Sequence, residues 1–355
     1  MKRRNAVALL LAGTLLSGVA AMAADAGSAG DPLIALNWLK NTFIPKTVTA
    51  AEERIDARTQ EMYQSALSAQ SGGTELRVKR GDVLRLETGS GLIALAGSLS
   101  GTSTGVIVDV TEGTQLASDG TLAVNHRYLA AEKTTAAFSV TSDTAVVRLT
   151  GSYTMSPSGE TDYNALADAL KSMGLFRGSD AGYGSGYDLE KAPTRIQGLI
   201  MFLRLMGEEQ AALQYSSIVT FADVPDWALP YVAYAYDKGY TKGNAVDEQW
   251  RVWFGTDSPL APNDYSTFLL RALGYSESSD FSWLTAVADA KNLGVLTAGE
   301  EALLSNGTPF LRSHVVYLSY FSLSAHLKGE STTLLDRLIS SGTVSALVSV
   351  AVDRL

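Results

Sequence analysis

Cysteine is absent from the 355 residues. That excludes a disulfide framework, a thiolate metal site, a cysteine nucleophile and a lipidated N-terminal cysteine. Histidine is nearly absent: His126, His314 and His326 are scattered and have no ligand spacing for zinc. His126, between Asn125 and Arg127 at a strand end, reads as a surface turn residue. Basic residues are outnumbered, and the formal net charge is -9, so nucleic acid and anionic membranes are poor partners for the whole chain. Long apolar runs are missing beyond the first residues. The stretch Ala6 to Ala21 follows Lys2-Arg3-Arg4 and leads to Ala21-Met22-Ala23, which is the order of a secretory signal cut after Ala23. It is broken by Gly13, Ser17 and Gly18 and is shorter than the ~20 residues a spanning helix needs. Cleavage would remove three basic residues and no acidic ones, taking -9 to -12. The mature chain is therefore expected to be secreted, outside the cytoplasmic membrane, soluble or wall-bound and without a membrane span.

Signatures of catalysis are also missing. No set of nucleophile, base and orienting group stands out. The glycine-rich Gly182-Tyr183-Gly184-Ser185-Gly186 has neither a preceding strand nor a following Lys-Ser/Thr, so it is not a phosphate loop. Asp109, Glu112 and Asp119 read as solvated loop acids rather than a calcium site. The sequence predicts no enzymatic activity, no cofactor and no metal.

What is present changes character along the chain. After a polar leader, residues 24–70 carry two helical patterns, the first ending at Ile44-Pro45 because a residue before proline is driven out of the helical region. The second, Thr49 to Gln70, has a thin apolar stripe under a charged surface, which fits either a self-associating coiled coil or a single solvated helix. Ser71-Gly72-Gly73 then switches the period from 3.6 to 2. Val83–Glu87, Leu92–Ala96, Val106–Val110, Leu122–Val124, Ala137–Thr141 and Val146–Thr150 read as strands between Gly, Ser, Thr and Asp turns. From Thr161 the pattern is helical.

The helical half repeats itself. Thr194-Arg195-Ile196-Gln197 through Leu203-Arg204-Leu205-Met206-Gly207 keeps the internal spacing of Ala261-Pro262-Asn263-Asp264 through Leu270-Arg271-Ala272-Leu273-Gly274. A worn third copy starts at Leu311-Arg312-Ser313-His314. Upstream lie the turns Gly174–Gly178, Gly239–Gly243 and Gly294–Gly299, so the unit is roughly 50–65 residues long. Thr194 and Gln197 form a capping box. Arg204 and Arg271, at matching places, predict internal salt bridges across repeats, and Trp250 and Trp253 predict inter-repeat core. The expected fold class is α+β multidomain. It comprises a signal peptide (1–23), a helical stalk (24–70), a small all-β sandwich or barrel (75–155), an all-α three-repeat bundle (161–330) and a C-terminal helix packed on the repeats (331–355).

The second repeat, Phe221-Ala222-Asp223-Val224 through Trp227-Ala228 to Gly239-Tyr240-Thr241-Lys242-Gly243, resembles the F-x-D-V, W-A and G-x-x-x-G signature of S-layer homology domains. Thr194-Arg195-Ile196-Gln197 resembles the T-R-A-E motif of that family. The resemblance spans about 162–329 and is silent on the β region. It implies a three-pronged helical bundle that attaches noncovalently to a secondary cell-wall polysaccharide, commonly one bearing pyruvylated sugar, in grooves between the prongs. Carried over by position, it makes Thr194, Arg195, Trp227 and Arg312 the polysaccharide-binding candidates. A guanidinium at a helix N-terminus suits a carboxylate such as a pyruvate ketal, and Trp227 would supply an aromatic wall. The second repeat has Pro262 where the arginine would stand, so at most two grooves are expected to function. Two alternatives remain: a scaffold derived from such repeats without wall binding, and a secreted carbohydrate-active enzyme with its site in the β region, for which about 80 residues is small.

Overall fold

The structure, a computed structural model, describes residues 73–178, 185–216 and 221–345. The signal peptide and the helical stalk expected over 1–70 lie outside the described residues, as does the chain after 345. Residues Gly73–Leu355 cluster as one compact unit.

The first part of this unit is built from eleven strands: β1 (Thr74–Lys79), β2 (Val83–Leu86), β3 (Gly91–Ala96), β4 (Leu99–Ser103), β5 (Ile107–Asp109), β6 (Thr114–Gln115), β7 (Gly120–Thr121), β8 (Arg127–Ala130), β9 (Ala136–Val140), β10 (Thr144–Thr150) and β11 (Tyr153–Ser156). They form a six-stranded sheet in the order β1-β10-β3-β8-β5-β6 and a five-stranded sheet in the order β11-β2-β9-β4-β7. The described pairings in both are antiparallel. Alternation decides which side chains meet between the sheets. Leu84, Leu86, Leu99 and Phe138 from one sheet share a core with Leu92, Ile107, Tyr128, Val147 and Leu149 from the other. Leu122–Val124 is not a strand. Its Ala123 N–H goes to the Tyr128 hydroxyl at 2.8 Å and Asn125 takes φ 66, so the chain turns there.

The helical part comprises α1 (Tyr163–Ser172), α2 (Arg195–Leu205), α3 (Glu209–Leu213), α4 (Leu229–Asp237), α5 (Pro262–Ala272), α6 (Ala286–Asn292), α7 (Ala298–Ser305), α8 (Arg312–Ser322) and α9 (Leu334–Ser340). The three repeats are legible in it: α1 with α2, α4 with α5, α6 with α8. The long members α2, α5 and α8 are each 11 residues, and each buries most of its length. Their Phe202, Tyr265, Phe268, Val315 and Tyr317 belong to a single core with residues of the flanking helices.

The expected fold class needs correction on three points. The C-terminal part is not all-α, because β12 (Ala245–Val246) and β13 (Val252–Trp253) form a hairpin inside the second repeat. The β-rich and helical parts have separate hydrophobic cores but fall within one compact unit. No stalk enters this description. The reason for the second point is polar and local. Arg77 on β1 makes a two-pronged ion pair with Asp168 on α1, both contacts 2.8 Å, and Asn164 Nδ2 on α1 donates to the Val78 carbonyl at 3.3 Å. Such fork-to-carboxylate contacts fix orientation as well as distance. A second junction centres on Asp143, in the turn between β9 and β10, which meets Arg80 Nη2 at 2.7 Å and His314 Nε2 of α8 at 3.3 Å. Polar pairs across the boundary leave no sequence signature of period or propensity, so the boundary reads as a linker.

Candidate functional site

The N-termini of the long helices create the site. In α2, the Thr194 hydroxyl accepts from Gln197 N and Gln197 Oε1 accepts from Thr194 N, the capping box expected from sequence. In α5 and α8 one half of the box survives with other chemistry: Asp264 Oδ2 accepts from Ala261 N and His314 Nδ1 from Leu311 N, each at 3.1 Å, while Ala261 and Leu311 have no side-chain acceptor to return the bond. The cap position therefore follows the repeat even where the motif has worn away. The free amides of the first turn are used between repeats. Arg195 N and Ile196 N donate to the carbonyls of Ser258 and Thr256 in the segment before α5, and Arg312 N and Ser313 N donate to Lys191 and Leu189 in the segment before α2. Helix ends satisfied in this way dock one repeat onto the next without exposing backbone.

Asp223 makes the first of these dockings possible. Its carboxylate accepts from the backbone N–H groups of Phe254, Gly255 and Thr256 at 2.7, 2.6 and 2.9 Å. That clamps the loop that carries the acceptor carbonyl of Thr256. Phe221, two residues earlier, packs edge-on against Tyr236 of α4. The F-x-D-V signature is thus a structural device for the loop ahead of α5.

Between the first and second repeats this arrangement leaves a cleft of ≈ 150 Å³. Its cations are Arg195, Lys242 and Arg271; its carboxylates are Asp264 and Glu277; its aromatic wall is Trp283. Three positive groups against two negative ones leave the cleft net positive in an acidic chain. Arg195 is only 6% exposed. Its guanidinium lies 5.2 and 5.5 Å from the centroids of Phe254 and Phe268, and Nη1 is 2.6 Å from Asp264 Oδ1. The same Asp264 oxygen accepts from the indole Nε1 of Trp283 at 2.9 Å, which holds the ring in place. Arg271 bonds the Tyr240 carbonyl at 2.9 Å and closes an ion pair on Glu277. Lys242 sits 3.0 Å from the same carboxylate with 68% of its side chain exposed. Burial would raise the Glu277 carboxyl, but Lys242 and Arg271 outweigh it and hold the group below its ordinary range. Lys242 is therefore the exposed cation of the cleft, and Arg195 and Arg271 its largely buried ones.

The other candidates are placed differently. Arg312 is buried and donates to the Gly178 carbonyl at 3.4 Å. Among the described residues it has no ion pair within 4.0 Å, and burial pushes its guanidinium down against the raising effect of Asp188. Trp227 is 59% exposed, and the tryptophan lining the Arg195 cleft is Trp283 instead. Thr194 acts through its cap. Lys242, Asp264, Arg271, Glu277 and Trp283 were not singled out as ligand contacts from sequence. The signal that could have found Lys242 was its place in the G-x-x-x-G turn.

Three lesser expectations also change. Arg204 pairs with Glu209, at 2.8 Å, and Arg271 with Glu277, so the matching arginines hold the segment after their own helix rather than a neighbouring repeat. Trp250, read as inter-repeat core, is 87% exposed because φ 62 puts it at the turn of the hairpin, where no element faces it. His126 is not a free turn residue: its Nδ1 is 2.8 Å from Asp109, which is itself buried and caps the amides of Thr111 and Glu112.

Among the described residues no group of acidic or histidine side chains could hold a metal ion, and no helix is long and apolar enough to cross a membrane. Compared with known proteins, the chain matches no family model and no curated sequence.

Proposed function

We propose that this chain is a secreted bacterial surface protein whose repeats, resembling degenerate S-layer homology repeats, hold a carboxylated cell-wall polysaccharide in the cleft between the first and second repeats. The observation that carries the reading is the cleft itself, where Arg195, Lys242 and Arg271 converge beside the hydrogen-bonded indole of Trp283. Lys242 has the exposure to meet a sugar carboxylate, such as a pyruvate ketal. Trp283 offers a fixed apolar face to the ring, and the buried guanidinium of Arg195 adds a field that water screens poorly. In this account the β-rich part is carried on the anchored repeats.

A second reading has one observation in its favour: Asp264 already neutralises Arg195 at 2.6 Å, as a scaffold without wall binding would have it. Co-sedimentation of the full chain with wall sacculi, before and after acid extraction of their secondary polymers, separates the two. Retention that disappears on extraction supports polysaccharide binding. Failure to sediment with untreated walls of the source organism leaves the scaffold.

A further inference from the structure

A second, shallower cleft of ≈ 420 Å³ adjoins the first on the hairpin side. Asn244 lines both clefts. Gly255 lines the second cleft between Asn244 and Arg195: a Cβ there would stand 3.0 Å from Asn244 Nδ2 and 3.6 Å from Arg195 Cδ, and φ is +80° besides. Trp253 forms one wall with 38% exposure. Its indole does not swing freely, since Nε1 donates to Asp247 Oδ2 at 3.1 Å. Asp247 in turn is held by the amides of Gln249 and Arg251 and by Arg251 Nε. The floor is fixed by the amide clamp on Asp223.

The electrostatics of the two clefts differ in sign. The described lining of the second contains the carboxylates Asp223 and Asp257 and no cation. An anionic ring is disfavoured there, whereas a neutral sugar can lay an apolar face on a pre-positioned indole at small entropic cost. We infer that this cleft is a second sugar subsite, in which Trp253 carries a neutral ring of the same polymer whose carboxylated ring sits beside Lys242 and Trp283, with Asn244 bridging the two. The inference rests on the polysaccharide reading of the first cleft. It adds to that reading a two-ring ligand of defined polarity, anionic at one end and neutral at the other.

The test compares two probes by titration calorimetry on the full chain: a single 4,6-pyruvyl-ketal hexopyranoside, and a trisaccharide in which that ring is joined to two neutral hexoses. The trisaccharide is expected to bind about tenfold tighter. Trp253→Ala should bring it down to the single-ring affinity while leaving the single ring unchanged. The indole N–H signal of Trp253 in a two-dimensional nitrogen-proton spectrum of the unaltered protein should shift with the trisaccharide and not with the single ring. That spectrum remains decisive if the variant folds poorly. Equal affinity for the two probes, or an unmoved Trp253 signal with the trisaccharide bound, overturns the second subsite and leaves the first. Binding of neither probe overturns both.

Discussion

Arg195 and Asp264 face each other across two repeats at 2.6 Å, with their side chains 7% and 9% exposed. The pair does two opposed things. It ties the N-terminus of α2 to that of α5, and it consumes part of the positive charge that makes the cleft attractive to an anion. Removing one member of a buried pair strands the other. Arg195→Ala should therefore cost about 3–5 kcal/mol in stability, measurable by urea denaturation. Loss of binding in that variant would mix unfolding with chemistry. A double variant that also removes Asp264 should recover part of the loss, and equal destabilisation by the single and double variants would contradict a coupled pair.

Asp223 is expected to matter for the Arg195 cleft without lining it. Its three amide bonds hold residues 254–256, and the Thr256 carbonyl accepts from Ile196 N at 3.3 Å. A hydrogen bond to a charged acceptor contributes a net ~1.5–3 kcal/mol. Asp223→Ala should lower stability by on the order of 3 kcal/mol and speed amide hydrogen exchange at Arg195 and Ile196. Unchanged exchange at those two amides would show that the loop keeps its place without the clamp.

Asp143 should make the junction between the β-rich part and α8 sensitive to acid. The hydrogen bond from His314, against the raising effect of burial and with help from Arg80, lowers its carboxyl from 3.8 to about 2. His314 Nδ1 accepts from Leu311 N, so the ring proton sits on Nε2, directed at Asp143. A carboxyl depressed in the fold contributes stability that is complete above its unfolded value and is lost as pH falls toward the folded one. The contribution, roughly 2 kcal/mol, should thus disappear between about pH 4 and about pH 2. Asp143→Asn should flatten that limb of the pH–stability curve. An identical acid limb in the variant would place the sensitivity elsewhere.

How far the sequence carried the fold depended on what kind of signal each element leaves. The helical repeats were legible because their apolar spacing and caps are local, and Thr194 with Gln197 behaves as its motif requires. Strands β2, β3, β5, β9 and β10 showed themselves by branched or alternating residues. β4, with Ser100, Gly101 and Thr102, and β11, with Thr154 and Ser156, have turn-like composition and are strands only because neighbours pair with them. The cleft was half legible. Arg195 announces itself by motif, but its partner Asp264 looked like a lost motif, and Trp283 comes from a third repeat whose signature has worn away. Contacts between residues 69 and 88 positions from Arg195 leave no periodic trace.

The central claim, that the cleft of Arg195, Lys242 and Trp283 holds a sugar carboxylate, is tested most directly by two substitutions of opposite sign. Lys242→Ala removes an exposed cation and should change stability by no more than about 0.5 kcal/mol. Glu277→Gln releases Lys242 from its counter-ion and leaves Arg271 its bond to the Tyr240 carbonyl. Retention of the full chain on wall sacculi, measured across a range of salt concentrations, should fall about tenfold for Lys242→Ala and rise for Glu277→Gln. Movement of both variants in the same direction, or retention indifferent to both, would contradict the assignment of the carboxylate to this cleft.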